Sequence, residues 1–496
     1  MEMKKKVIVI GGGFAGLSAA CSAAQQGNDV LLLEKNSTTG GRARSFSQSG
    51  YTFDMGPSWY WMPEIFEDFF NKFGKKVSDY YEVERLDPSY RVFFADQTFL
   101  DVPANYDQFK LEIEKLQSGS GAALDAFLQE AKVKYDSSMS DFVWKPSLSI
   151  SEFFDVKLIR ESFRLQLFSS FTAHAKKYFS NPKILQLLEF PVLFLGAKPE
   201  NTPAMYSMMN YADIVLGTWY PKGGMIQIVH AMTSLAKELG VDIRTTSNVQ
   251  SIEVSRNKVT DVIIDGHHEN ADAVIAAADY HHVEQDLLKL EHRSYSKKYW
   301  NDRTMSPSAL IFYLGVNKRI EGLQHHNLFF DEDFKVHAKS IYDEKNWPKN
   351  PLFYVCCASK SDTSVAPDGC ENVFILIPVA TGLTSSEEVR ANYLHQCIAR
   401  IKKHTGEDIS KNIVFSQSYA HEEFERDYHS FRGNAYGLSN TLRQTAIMKP
   451  KMRSKKVSNL FYAGQLTVPG PGVPPAIMSG QIAATEIEKY FKRNRN

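Results

Sequence analysis

A chain of 496 residues is too long for one simple core and calls for two or three domains. With 43% hydrophobic and 23% charged residues it is of the globular class, not the disordered one. Lys plus Arg and Asp plus Glu balance at 57 each, so the overall charge gives no argument for a nucleic-acid partner.

The first elements form a tight unit. Val7 to Ile10 is short, β-branched and apolar, as in a strand covered on both faces. Gly11, Gly13 and Gly16 follow in G-x-G-x-x-G spacing, and Leu17 to Gln26 reads as a helix. Gly11 allows the turn, Gly13 lets backbone approach a pyrophosphate, and Gly16 lets the helix pack close to the strand. Val30 to Leu33 is a second strand, closed by Glu34, 18 residues after Gly16. A carboxylate there can accept hydrogen bonds from a ribose 2′-OH, so strand, helix, strand and acid together predict a dinucleotide site. After Lys35 comes a second glycine pair in "GGRAR", Gly40 to Arg44. NAD domains have no general use for it. A loop passing the pyrophosphate and ribityl chain of a permanently held FAD does, with Arg42 supplying charge.

From about Asp107 to Pro199 the chain is helix-prone, with aromatic and basic residues mixed. Ile159, Phe163, Leu167 and Phe171 recur every fourth residue, and Lys157, Arg160 and Arg164 form a separate basic stripe. Such a helix suits a core-facing position or a membrane interface. Pieces of the dinucleotide domain then return: Gly223 and Gly224 before an amphipathic helix, strands around Val241–Arg244 and Val249–Val254, and a buried strand in Ala271–Asp279. Residues 306–436 alternate apolar and polar in short runs, as in "SALIFYLGVNK" and "NVFILIPVA", which suits a sheet lining an elongated pocket. The end supplies a strand at Leu460–Ala463, a Gly/Pro-rich turn and a helix from about Pro475.

The five cysteines (Cys21, Cys356, Cys357, Cys370 and Cys397) show no framework spacing, so a reducing cytoplasm is the simpler expectation. Lys4 to Lys6 lead straight into a strand, which is no secretory signal, and no apolar run approaches the roughly 18 residues of a membrane span.

Taken together, "IGGGFAGLSAA", "EKNSTTGGRARSF", "FDMGPSWYWMP", "GNAYGLSNTLRQTA" and above all "NLFYAGQLTVPGPGVPPAIMSG" resemble the bacterial-type phytoene desaturases. These are FAD-dependent carotenoid desaturases within the flavin amine oxidase superfamily, and the resemblance covers nearly the whole chain. It implies an α/β fold with a discontinuous Rossmann-like FAD-binding domain (1–75, 221–300 and 437–496), a mixed-sheet substrate domain (76–106, 200–220 and 301–436) and a helical, membrane-associating segment (107–199). The last helix is then expected to aim its N-terminus at the flavin's pyrimidine carbonyls, with Gly470 and Gly472 allowing close approach. Pro474 and Pro475 would begin that helix without wasting a donor. Gly464 is expected by the ribityl phosphate, Val249 at the adenine, and Pro57 and Ser58 by the isoalloxazine. The cofactor-binding set so implied is Gly11, Gly13, Phe14, Ala15, Gly16, Glu34, Lys35, Gly41, Arg42, Pro57, Ser58, Val249, Gly464, Gly472, Val473 and Pro474.

The implied reaction removes a hydride from an allylic carbon and a proton from its neighbour, with reoxidation by a quinone or oxygen. Phytoene is the first choice of substrate. A 3,4-desaturase of hydroxylated carotenoids, a C30 diapophytoene desaturase and a polyene isomerase are the alternatives within the family. An amine oxidase and a prenyl-binding relative of the GDP-dissociation inhibitors are the alternatives outside it. No catalytic residue and no metal site is named: His325–His326 and His281–His282 are expected to be structural or hydrogen-bonding pairs. A C40 hydrocarbon is confined to lipid, which favours the interfacial use of the Phe153–Phe179 region and a peripheral position on the cytoplasmic side of a membrane. Trp59, Tyr60, Trp61 and Trp144 are then candidates for the entrance.

Overall fold

The computed structural model describes residues 4–149, 169–193, 196–441 and 443–494. At its centre is β1 (Lys6–Ile10), apolar on both sides because it is covered on both. It pairs in parallel with Ala273–Ala276 on one side and with β2 (Asp29–Leu33) on the other. Leu460–Tyr462 and Asp242–Arg244 complete a five-stranded parallel sheet. Three distant parts of the chain thus build one sheet. On one face Val7, Val9, Leu32 and Ile275 meet helix α1 (Phe14–Gln25), the helix Ile226–Glu238 and the C-terminal helix Val473–Arg493. On the other, Ile8, Leu31 and Val274 meet a three-stranded antiparallel sheet through Ile252 and Val262.

A second sheet of seven strands runs Ile413–Tyr419, Ser308–Val316, Glu371–Val379, Phe353–Cys356, His326–Phe330, Tyr90–Phe94, Phe99–Val102. The period-two alternation of its strands sorts two faces. Leu310, Phe312 and Leu314 bury against Tyr393, Cys397 and Ile401 of the helix Glu387–Thr405. Ala309, Ile311, Leu328 and Tyr354 face the opposite way, into the interior cavity described below. The helices Tyr106–Leu116, Ser120–Ser137 and Pro182–Leu193 close over this side, with Phe109, Phe127, Ile184 and Leu188 in the shared core. Of the expected amphipathic stripe, Phe171 is fully buried in that core, whereas Ile159, Phe163, Leu167, Lys157, Arg160 and Arg164 lie outside the described residues.

Some boundaries differ from expectation. Helix α1 starts at Phe14 rather than Leu17, because Gly13 already stands at its N-cap. The C-terminal helix starts at Val473, with Pro474 in its first turn, where a missing N–H costs nothing. The Ala271–Asp279 run is in the sheet only over Ala273–Ala276, and Asp279 instead caps a short helix by accepting from His282 N.

The two helices flanking β1 touch at backbone distance. A Cβ placed on Gly480 would sit 2.2 Å from the Ala15 carbonyl oxygen and 2.7 Å from Ala19 N. No rotamer change relieves such a clash, because both obstructing atoms are backbone. Gly480→Ala is therefore expected to cost about 1–3 kcal/mol and to lower Tm in thermal denaturation. An unchanged Tm would show that the helices can part at no cost.

Candidate functional site

One cavity of about 660 Å³ runs from the turn after β1 to the concave face of the seven-stranded sheet. Gly11, Gly13, Phe14, Ala15, Glu34, Lys35, Gly41, Arg42, Pro57, Ser58, Val249, Gly464, Gly472, Val473 and Pro474 all line it. Gly16 does not. A Cβ at Gly16 would lie 1.8 Å from the Gly11 carbonyl oxygen, so it is the spacer that lets α1 close on the turn.

The nucleotide end is polar and ordered by the chain itself. Glu34, buried at the end of β2, accepts from Gly12 N at 2.8 Å and from Asn36 N at 2.8 Å. Its carboxylate thus fixes the glycine turn and the start of the next loop. The N-terminus of α1 opens at Gly13 onto the same space, which suits a phosphate. Lys35 donates to the Arg426 carbonyl at 2.6 Å. Arg42 Nη2 donates to Ser430 Oγ at 2.6 Å and to the Asn434 carbonyl at 3.2 Å, and burial lowers its pKa. Asp54 accepts from Met225 N and Ile226 N at 2.7 and 3.1 Å, tying the strand before Pro57 to the helix Ile226–Glu238. Burial pushes its carboxyl up to about 7 despite those two donors.

Arg42 and Asn440 line the cavity and Lys449 lies beside Gly470 of its wall, and each carries a buried polar atom that the described residues do not satisfy. Arg42 Nε, Asn440 Oδ1 and Lys449 Nζ are shielded from solvent and have no hydrogen-bond partner among the described residues. A Cβ on Gly470 would lie 3.2 Å from Lys449 Nζ and 3.5 Å from Asn440 Nδ2, so both side chains converge on the turn before the C-terminal helix. Burial alone brings the Lys449 amine down to about 7. An uncompensated buried amine of this kind is costly unless a ligand supplies acceptors. A flavin's carbonyls are acceptors for the Lys449 amine and Arg42 Nε, and its ring N–H is a donor for Asn440 Oδ1, so these residues fit FAD. Sequence reasoning missed Lys449 altogether. Asn440 lies inside the quoted "GNAYGLSNTLRQTA", but neither residue has a spacing that announces it.

The far end is apolar and aromatic, walled by Trp59, Trp61, Phe190, Leu328, Phe330 and Met209. Here a hydrogen-bonded chain reaches the wall: Ser58 Oγ lies 2.9 Å from Tyr354 Oη, which lies 2.6 Å from His326 Nδ1. Trp59 stacks on the His326 ring with centroids 4.1 Å apart. Among the described residues His325, His326 and Cys356 bring one ligand atom each within 4.8 Å of one another, a set able to hold a metal ion. His325 Nδ1 is engaged by Ser361 Oγ and His326 Nδ1 by Tyr354 Oη, which leaves both Nε2 atoms buried without a partner among the described residues, while burial pushes the Cys356 thiol up to about 12 and so disfavours the thiolate that a metal takes. The other pair is tied elsewhere: His282 Nδ1 is 2.7 Å from Asp286 Oδ2, and His281 stacks on Phe431.

A dinucleotide turn, two glycine-lined loops and an apolar chamber sharing one cavity define a flavin-dependent oxidoreductase. The signature of the flavin containing amine oxidoreductases matches residues 14–488. The chain is 41% identical over 457 residues to a carotenoid 3,4-desaturase of Haloarcula japonica, covering 92% of each. It is 29% identical to a 4,4'-diapophytoene desaturase of Staphylococcus aureus (93% of this chain, 94% of that one) and 28% identical to a zeta-carotene-forming phytoene desaturase of Myxococcus xanthus (92% and 88%). Among solved structures, an oxidoreductase from Methanosarcina mazei shares the fold, with a TM-score of 0.63 at 17% identity over 97% of this chain and 100% of that one. The protein belongs to the flavin containing amine oxidoreductase family, within its FAD-dependent carotenoid desaturases.

Lys449 gives a test with a definite sign. Its folded pKa of about 7 lies below the ordinary 10.5, so between those values the native flavin-free protein binds fewer protons than the unfolded chain. Its stability therefore rises with pH through that window. Lys449→Met lacks this slope. The variant, stripped of flavin, is expected to exceed the wild-type Tm most near or below neutral pH, with the gap narrowing as pH rises. Its FAD affinity is expected to fall about ten-fold or more, the worth of one charge-assisted hydrogen bond. Scanning calorimetry and equilibrium dialysis check the two, and a gap independent of pH would contradict the titration.

Proposed function

We propose that this protein desaturates a long acyclic C40 carotenoid, and that the fifteen cavity-lining residues of the predicted set, with Gly16 as their spacer and together with Asn440 and Lys449, hold its FAD. The observation that carries the reading is the continuity of a single cavity from the Gly11–Gly13 turn to the Leu328–Phe330 wall. When bound, FAD supplies a hydride acceptor. The chain does the rest. Glu34 offers carboxylate lone pairs to a ribose, and Gly13 with the start of α1 offers N–H groups and positive dipole to a pyrophosphate. Gly472, Val473 and Pro474 open the C-terminal helix onto the cavity, so its positive end and the Lys449 amine favour negative charge there. Trp59, Phe190 and Leu328 exclude water and hold an extended hydrocarbon by contact alone, as a substrate without polar atoms requires.

We place the FAD-binding part at 1–75, 221–300 and 437–496 and the substrate part at 76–106, 200–220 and 301–436. The origins of the five- and seven-stranded sheets support this division. Two substrates remain in view. The greater identity to the carotenoid 3,4-desaturase favours a 3,4-desaturation, whereas the P-G-x-G-V-P turn resembles that of phytoene desaturases. We assign the protein to a membrane surface, through the 107–199 segment, because a C40 hydrocarbon resides in lipid. No described helix is long and apolar enough to cross a bilayer. A quinone or oxygen is the proposed final electron acceptor.

Incubation with FAD and a quinone in liposomes carrying phytoene or a hydroxylated acyclic carotenoid, followed by chromatography, tests this reading. We expect one of the two to gain double bonds, and Glu34→Ala to lose FAD affinity about ten-fold or more. Full FAD retention by that variant would remove Glu34 from the site, and failure of wild type on both polyenes would overturn the substrate class.

A further inference from the structure

Desaturation releases a proton as well as a hydride, and nothing in the sequence identifies its acceptor. We propose that Tyr354, backed by His326, takes the proton that the substrate loses as its new double bond forms. The inference rests on the desaturase reading above and names the group in this cavity that completes the reaction.

Position comes first. Ser58 and Tyr354 both line the cavity, beside the aromatic wall of Trp59, Phe190 and Leu328. The sheet fixes Tyr354 against its partner. In the antiparallel pair His326–Phe330 and Phe353–Cys356, His326 faces Cys356 and Leu328 faces Tyr354. His326 and Tyr354 are therefore diagonal neighbours on one face, and their side chains meet at 2.6 Å. Trp59 stacked on the imidazole holds its plane, and Ser58 Oγ holds the phenol from the other side at 2.9 Å. The imidazole cannot swing away. His326 is fully buried, so it reaches the cavity only through Tyr354.

Protonation states suit an acceptor. Burial, with His325 alongside, holds the His326 imidazole well below its ordinary pKa, so it is neutral and its Nδ1 lone pair is available. Burial raises the Tyr354 phenol well above its own, so it remains an O–H rather than a phenolate. A weak base suffices here, because an allylic cation spread over a polyene is a strong acid. The electrons balance as follows. One allylic C–H bond would break with its electron pair leaving as hydride, for which bound FAD would be the two-electron acceptor. The C–H bond on the adjacent carbon then breaks, and its pair becomes the new C=C bond. That proton passes to Tyr354 Oη while the phenol's own proton passes to His326 Nδ1, leaving an imidazolium and a neutral tyrosine. Tyr354 is thus the catalytic residue, and His326 acts through it as a positioning and proton-holding residue.

The test compares wild type, His326→Gln and Tyr354→Phe, all loaded with FAD, in anaerobic single turnover with phytoene or the hydroxylated carotenoid in liposomes. Each substrate is prepared with deuterium at the hydride-donating carbon or at the proton-losing carbon. We expect flavin content to stay at the wild-type level in Tyr354→Phe, which keeps the ring, and product formation to slow about 10²–10⁴-fold. The sharper sign is the isotope effect, which should move to the proton-losing carbon in both variants. A merely structural role would slow the reaction and leave the isotope effect on the hydride-donating carbon. Either that pattern or an unchanged rate in Tyr354→Phe overturns the proposal. Wild-type flavin binding and turnover score the desaturase reading separately, since they do not depend on either substitution.

Discussion

The close approach of the first and last helices over β1 is the constraint on which the rest of the structure depends. Gly480 sits against the Ala15 carbonyl, where no side chain fits, and this contact holds the two ends of the chain together. Because of it, the turn after β1 and the turn before Val473 open on the same cavity. Neither turn alone makes a flavin site. The first offers phosphate-binding N–H groups and the second offers the positive end of a long helix, and they are separated by most of the sequence. Packing between two helices is therefore what converts two local motifs into one site.

The cavity sorts polarity along its length, and this sorting follows from which sheet supplies each wall. The parallel sheet ends in glycines and an acid, so its wall is rich in backbone N–H groups. The seven-stranded sheet presents mostly alternate residues, and on the cavity face these include Ala309, Ile311, Leu328, Phe330 and Leu376, with Tyr354 as the polar exception. A ligand spanning both walls must itself be polar at one end and apolar at the other, or two ligands must share the space. FAD and a polyene satisfy this together. Polar groups that the described residues leave unsatisfied stand in or just behind the cavity wall: Asn440 lines the cavity, Lys449 lies beside Gly470, and His326 lies behind Tyr354.

Much of the fold was legible in the sequence, and the reasons are local. The run Val7–Ile10, the spacing Gly11, Gly13, Gly16 and the acid Glu34 each encode their conformation within a few residues, whereas the Ala271–Asp279 run overshoots the strand Ala273–Ala276 at both ends. The alternation in "SALIFYLGVNK" likewise announced a sheet wall. What could not be read depends on contacts between remote segments. Lys449 becomes significant only because Gly470 lies beside it, and His326 only because strand register sets Tyr354 diagonally across from it. A pair of histidines in sequence carries neither fact. At Phe171 helical spacing suited a core-facing position or a membrane interface alike, and the residue is fully buried in the helical core.

The central claim is that one chamber holds a flavin against an apolar polyene, and an anaerobic titration tests it most directly. FAD-loaded protein in liposomes would be titrated with the carotenoid while the flavin's visible band and the polyene's absorption are followed together. The account predicts that flavin bleaching and the red shift of the polyene advance in step, one double bond for each FAD reduced. Bleaching without any change in the polyene, or no bleaching at all, would contradict it.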